Sequence, residues 1–328
     1  MTPLIKKIAA AAAFGLGAIA AFAADLPGPL VDTKWLADNL KEVQVVEVRT
    51  NFKSFTAEPQ FETDAKGKKT IDEIGGHIPG SRLLEAKTIR VEREIGGIKV
   101  KYMIPERAAF EKFVQGAGID AGKPIVIVPI GLNSSDVNDA MRMYWQFKVY
   151  GENNIALLDG GMASWLLDGK AYAKDVPVAR NGTWTSPSDQ TARYFADSND
   201  VVAIQGKKSA TLVDAREPAQ FHGLVKRDYV FGYGHLEGAV SLAPDTTFKT
   251  SGGAVKVLPV NTYKAVLKAQ GIEPDAPAVI YCNSGAQSGL PWFIMSELIG
   301  NKSVKQYDGS LHQWTLEKRP LVGAVPLQ

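Results

Sequence analysis

Short apolar runs alternate with longer stretches of helical periodicity along most of this chain. The runs at 43–48, 125–128 and 155–158, then at 210–213, 278–281 and the weaker 304–307, are bounded by Pro, Asn, Ser, Cys or charged residues. Their length and β-branched content read as strands buried on both faces. Residues 34–41, 105–116, 136–150, 260–270 and 289–298 are amphipathic and predict helices. Strands separated by helices predict an α/β fold whose sheets are mainly parallel and flanked by helices. Residues 51–75 and 87–104 are polar and rich in Gly and Lys by comparison, and are read as surface insertions.

The pattern occurs twice. At an offset of 153 residues, Gly118-Ile119 lies over Gly271-Ile272, and the run 124–129 lies over 277–282 without a gap. Other landmarks return in the same order: Glu47 and Arg49 beside Asp214 and Arg216, Gly76-His77 beside Gly234-His235, and Asp159 to Trp165 beside Asp308 to Trp314. Duplicated domains explain this order. Residues 30–178 are expected to form the first, 179–193 a linker, and 194–328 the second.

Cys282 is the single cysteine of 328 residues. It stands where the predicted strand 278–281 stops and the polar loop Asn283-Ser284-Gly285-Ala286-Gln287 begins. An open α/β sheet places its site at the carboxyl ends of its strands. Backbone N–H groups of such a loop can point inward and hold negative charge on a sulfur. In the first half, Pro129 occupies the position of the cysteine.

The amino terminus bears on where this thiol works. Lys6-Lys7, the uncharged run 8–21 and small residues at Ala21 and Ala23 are the pattern of a cleaved secretory signal over 1–23. That run is short of the roughly 20 residues needed to span a bilayer. A soluble periplasmic protein is expected, with no membrane attachment after cleavage. Removing Lys6 and Lys7 from 37 basic residues leaves 35 against 35 acidic ones, so charge offers no case for nucleic acid or a membrane surface. One thiol with no resolving partner excludes a dithiol oxidoreductase acting by itself. It suits chemistry in which one sulfur accepts and passes on a group.

Asp-x-Arg at a strand end (Asp214, Arg216), Gly-His-x-x-Gly-Ala (234–239), Cys-x-x-Gly (282–285) and Asp-Gly-x-x-x-x-Trp (308–314) occur in that order. In this the chain resembles the rhodanese family of sulfurtransferases, in particular the type with two tandem rhodanese-like domains of which only the second is catalytic. The resemblance covers about residues 30–322. It implies that Cys282 takes a sulfane sulfur from a small anionic donor, carries it as a persulfide in the cradle of residues 283–287, and yields it to a thiophilic acceptor such as cyanide or a thiol, which includes an acceptor protein thiol. No cofactor or metal is implied, and four His with one Cys, unclustered, argue against a metal site.

Family members that use thiosulfate typically carry basic residues directly after the cysteine. The uncharged Asn283-Ser284 looks more like the 3-mercaptopyruvate-using branch, whose loop is Cys-Gly-Ser-Gly-Val-Thr. That resemblance makes Arg227 a carboxylate anchor, puts an uncharged Gln220 where the branch has a second arginine, and pairs Ser284 with His77 and an acid such as Asp64 or Asp72. Two other readings stand beside it: a rhodanese-like sulfur-delivery or binding module with little turnover on small donors, and a phosphatase on the related Cys-loop fold. Ser288, where a phosphatase loop needs Arg, counts against the last. Asp214 and Arg216 are read as a structural ion pair. His235 is read as fixing a turn and as a candidate substrate contact, His222 and His312 as ordinary histidines. Trp165 and Trp314, equally spaced in both halves, are read as packing.

Overall fold

The computed structural model describes residues 24–176, 180–323 and 325. The signal read over 1–23 lies outside the described residues, as do 177–179 at the boundary of the first domain and the linker.

Each half builds one five-stranded parallel sheet. In the first the strands are β1 (Leu30–Val31), β2 (Gln44–Arg49), β3 (Arg82–Glu85), β4 (Ile125–Val128) and β5 (Ile155–Leu158), in spatial order β1-β5-β4-β2-β3. In the second they are β6 (Phe195–Ala196), β7 (Thr211–Asp214), β8 (Val240–Ser241), β9 (Ala278–Tyr281) and β10 (Val304–Tyr307), in order β6-β10-β9-β7-β8. The orders are the same, and so is the register: Ile125 pairs with Ile155 as Ala278 pairs with Val304. Every residue of β4, β5 and β9 is buried, which accounts for their unbroken apolar runs.

The α-helices of five or more residues are α1 (Thr33–Asn39), α2 (Arg107–Gly116), α3 (Ser134–Val149), α4 (Gly161–Leu167), α5 (Ser198–Lys207), α6 (Val260–Ala269), α7 (Gly289–Phe293) and α8 (Ser310–Leu316). The α3 helix starts ahead of the amphipathic pattern because the Asn133 side chain caps it, accepting from Asp136 N–H at 3.1 Å. The helix expected over 289–298 is α-helical only to Phe293 and continues as a π turn, Ile294–Leu298.

Two readings of loops need correction. The stretch 87–104 is not a surface insertion: its hairpin, Val91–Ile95 with Ile98–Met103, leaves its own domain and lies on α8 of the other. Val100 and Met103 of its second strand are wholly buried, while Lys99 and Lys101, on either side of Val100, face solvent. Nor is the linker a free tether. Gly182 N–H donates to the Gln115 carbonyl at 2.7 Å, Trp184 N–H to Ile119 at 3.0 Å and Gln190 N–H to Val149 at 2.8 Å, and the Trp184 ring is buried on the first domain. An aromatic ring in a polar segment outweighs the segment's composition.

The second domain returns the contact. Its hairpin, Lys249–Ser251 with Ala254–Lys256, reaches the first domain, where Val255 N–H donates to Gly131 O at 2.8 Å and Val257 N–H to Asp159 Oδ1 at 3.0 Å. The counterpart of that last bond is Ile104 N–H to Asp308 Oδ2 at 2.8 Å. Between the hairpins α3 packs on α7, with Tyr144 edge-on to Phe293 at 5.0 Å. A Cβ on Gly289 would stand 3.0 Å from Arg142 N, so a side chain there would push the helices apart. The two domains thus share one apolar core.

Candidate active site

Strand β9 delivers Cys282 to the carboxyl end of its sheet, between the ends of β7 and β10. Its N–H donates to Ser310 Oγ at 3.1 Å, and its carbonyl accepts from Leu311 N–H at 3.2 Å. Pro129 is held the same way at its carbonyl, by Met162 N–H at 2.9 Å. The loop then turns back, so that Gly285 N–H donates to Cys282 Sγ at 3.1 Å. Gly285 needs its positive φ of 75°, and a Cβ there would lie 2.7 Å from both Arg142 Nη1 and the Asp308 carbonyl.

Beneath the loop lies a buried ionic layer drawn from both domains. Arg142 of α3 is paired with Asp308 after β10, and both are wholly buried. Arg142 Nη1 and Gln306 Nε2 both donate to the Gly285 carbonyl, at 3.0 and 2.9 Å. Burial pushes the Arg142 guanidinium below its ordinary value, and the Asp308 carboxylate opposes this. Trp145 covers its face, with ring centroid and guanidinium carbon 4.6 Å apart.

Above the loop, Cys282 lies at the floor of a cleft of about 360 Å³. Asn283, Ser284, Ala286 and Gln287 line it from the loop, Arg227 and Tyr229 from the second domain, and Arg90, Tyr102, Ser135 and Asp139 from the first. Arg90 Nη1 and Tyr229 OH each come within 3.5 Å of Ser284 Oγ. Tyr102 stands 5.1 Å from Tyr229 and 5.2 Å from the Arg90 guanidinium carbon, ring centroids being the reference. Burial pushes the Asp139 carboxyl above the usual carboxylate range, and nearby Arg90 opposes it. The only thiol of the chain thus meets one backbone donor and an anion-attracting wall. Among the described residues no group of three or more His, Cys, Asp or Glu could hold a metal ion.

A family model for the rhodanese-like domain matches twice, over residues 32–168 and 197–317. The chain belongs to the rhodanese family. One relative, from Saccharopolyspora erythraea and provisionally named a thiosulfate sulfurtransferase, is 32% identical over 290 residues, covering 83% of this chain and 93% of its own. A sulfur carrier protein of Thermus thermophilus, TtuD, is 27% identical over 307 residues, 88% of this chain and 94% of its own. Among solved structures, the 3-mercaptopyruvate sulfotransferase SseA of Escherichia coli shares the fold, with a TM-score of 0.69 at 18% identity over 86% of this chain and 98% of that one.

Within this member of the rhodanese family the cradle residues 283–287 and Arg227 come together around Cys282, whereas His77 and His235 line no part of the cleft. These two histidines are equivalent pieces of scaffold. His77 Nδ1 meets Phe55 O at 3.1 Å and its ring stacks on Phe55 at 4.0 Å; His235 meets Phe221 O at 2.8 Å and stacks on Phe221 at 3.8 Å. Each also holds an isolated β-bridge, to Ala173 and to Val322. The neighbours of Ser284 are Arg90 and Tyr229, and the carboxylate facing His77 is Asp175, at 3.5 Å. Asp64 closes an exposed turn by accepting from Lys66 and Lys68 N–H, and Asp72 is exposed on the hairpin beside it.

Asp214 and Arg216 form a buried pair, with Arg216 Nη2 also donating to Gly234 O at 2.8 Å. Glu47, Arg49 and Gly76 repeat the arrangement in the half without the thiol, which marks it as structural. Gln220 has been drawn into the loop: its Oε1 accepts from Asn283 Nδ2 at 2.7 Å. The two tryptophans donate identically, Trp165 to Ala171 O and Trp314 to Pro320 O, both at 2.8 Å. His312 is a positioning group, with Nδ1 2.7 Å from Tyr229 O.

Sequence reasoning missed Arg90, Tyr102, Asp139 and Arg142 because all four stand in the half that lacks the thiol. The only signal was the alternation Ile98-Lys99-Val100-Lys101 in a segment otherwise rich in charge, which betrays one buried face.

Proposed function

We propose that this rhodanese-family sulfurtransferase carries a sulfane sulfur on Cys282 as a persulfide, taken from a small anionic donor held between Arg90 and Arg227. The observation that carries this is the sole thiol at the floor of a cleft, with Gly285 N–H on its sulfur and two arginines in the wall. The Cys282 thiolate attacks the donor's outer sulfur, forming the new S–S bond. With thiosulfate the old S–S bond breaks and sulfite leaves with the electron pair. With 3-mercaptopyruvate the C–S bond breaks, and the pyruvate enolate takes up the proton of the donor thiol. Attack by cyanide or a thiol, free or on an acceptor protein, on the terminal sulfur then restores Cys282. The cycle as written consumes no cofactor.

For the donor, 3-mercaptopyruvate is favoured over thiosulfate. When Asp139 is ionised it offsets one of the two arginines and leaves the cleft about one net positive charge, which suits a single carboxylate better than a dianion. Side-by-side kinetics should give the higher kcat/KM with 3-mercaptopyruvate, and Ser284→Lys should raise thiosulfate use roughly ten- to a hundredfold, the worth of one charge-assisted hydrogen bond. A clear thiosulfate preference in the wild type would overturn the donor assignment.

Intact mass after incubation with each donor tests the carrier itself. A gain of one sulfur, about 32 Da for a persulfide, is expected on Cys282. A gain from polysulfide alone, without turnover of small donors, would favour the second reading, a sulfur-delivery module, to which the relation with a protein named as a sulfur carrier lends support. We also propose export to the periplasm, resting on the pattern at 1–23. Fractionation with N-terminal sequencing of the mature chain, expected to begin at Ala24, tests it.

A further inference from the structure

We infer that Arg142, together with Gln306, aims the Ala286 N–H into the cleft and thereby builds a second donor for the terminal sulfur of the Cys282 persulfide. This deepens the persulfide reading above and rests on it. The Gly285 carbonyl and the Ala286 N–H belong to one trans peptide, so they point in opposite directions. Arg142 Nη1 at 3.0 Å and Gln306 Nε2 at 2.9 Å hold that carbonyl from the buried side. The N–H is therefore turned to the other side, where Ala286 lines the cleft with Cys282. Gly285 N–H, one peptide earlier, already meets Sγ at 3.1 Å. Two successive N–H groups facing one way form a cradle for an anion.

The duplication supplies an internal control. At the offset that superposes the halves, Arg142 corresponds to Met295, and the strand registers match Gln306 with Leu157. Both donors to the Gly285 carbonyl are thus replaced by apolar residues beneath the loop that carries Pro129. Asp308, by contrast, keeps its counterpart in Asp159. Packing alone does not account for Arg142, because its Nε and Nη2 are buried without hydrogen-bond partners. A buried guanidinium with unused donors is costly where an apolar side chain would fill the space. What it supplies here is an oriented peptide and a positive charge fixed under the anionic sulfur, with no reorganisation during the reaction. Arg142 is a positioning residue, acting on the substrate sulfur through the loop.

The test uses the full chain carrying Gln306→Leu, Arg142→Lys, or the pair Arg142→Met with Asp308→Asn, which leaves no unpaired buried charge. Gln306→Leu should fold well, since the Gln306 Oε1 is itself buried without a partner. In variants shown folded by circular dichroism, kcat should fall on the order of a hundredfold for the double variant, the low end for loss of an oxyanion-hole donor, and less, about tenfold, for Gln306→Leu, which leaves Arg142 on the same carbonyl. Arg142→Lys should recover part of the loss. KM should stay unchanged, because Arg90 and Arg227 are untouched, and the isolated persulfide should lose its sulfur faster by intact mass. A folded Gln306→Leu or double variant with wild-type kcat and persulfide lifetime would overturn the inference while leaving the carrier function standing. A wild type that gains no sulfur from any donor would instead overturn the functional reading, and the inference with it.

Discussion

At Cys282 one atom carries the whole proposed cycle, and no second thiol can substitute for it. Cys282→Ser is therefore expected to show no gain of a sulfur in intact mass and no thiocyanate formation above background. Its melting temperature should stay within a few degrees of the wild type, since serine nearly matches the thiol in volume and Ser310 Oγ still accepts from the backbone at 282. Asp139 sets a second expectation. Its carboxyl titrates above the usual range because it is buried, with Arg90 opposing. As the pH falls through that raised value the carboxylate is neutralised, and the cleft gains one positive charge. The ratio of thiosulfate to 3-mercaptopyruvate kcat/KM should rise as the pH is lowered. In Asp139→Asn the ratio should already be high at pH 7 and flat with pH; a wild-type ratio that is equally flat would remove Asp139 from donor selection.

At the scale of elements, the hairpin over residues 91–103 decides whether the cleft has a second wall. It carries Tyr102, and Arg90 directly precedes it. Met103, the last residue of the hairpin, is fully buried. Met103→Ala should cost about 2–5 kcal/mol of stability by urea denaturation, as for other buried Met or Leu truncations. Because the loosened hairpin also moves Arg90 and Tyr102, KM for the donor should rise in the fraction that remains folded. An unchanged KM would mean that the wall is held by the residue next to Met103, through Ile104 N–H on Asp308.

Taken as a whole molecule, the two domains are one unit of structure and of function. Their cores merge across α3 and α7, each domain sends a hairpin onto the other, and the ionic layer under Cys282 needs Arg142 from one and Asp308 from the other. Residues 194–328 expressed alone would expose Trp292 and Phe293 and leave Asp308 without its partner. That fragment is expected to aggregate or to stay without persulfide. The full chain should unfold in a single calorimetric transition; two resolved transitions would show that the shared core couples the halves less than its burial implies.

The sequence by itself determined the duplicated α/β plan, because β4, β5 and β9 are buried on both faces and can be written only with apolar residues. It also determined the candidate nucleophile, since only one residue could be a thiol at a strand end, and the ion pair of Asp214 and Arg216, since the same pattern stands in the half without the thiol. Local signals reach that far because they record burial and turn geometry within a few residues. The tertiary structure alone decided the rest. It made His77 a stacked scaffold residue, drew Gln220 onto Asn283, bound the linker to the first domain, and brought Arg90, Asp139 and Arg142 to a thiol more than a hundred positions away. Such contacts leave no periodicity in the chain, because the packing of two domains against each other sets them.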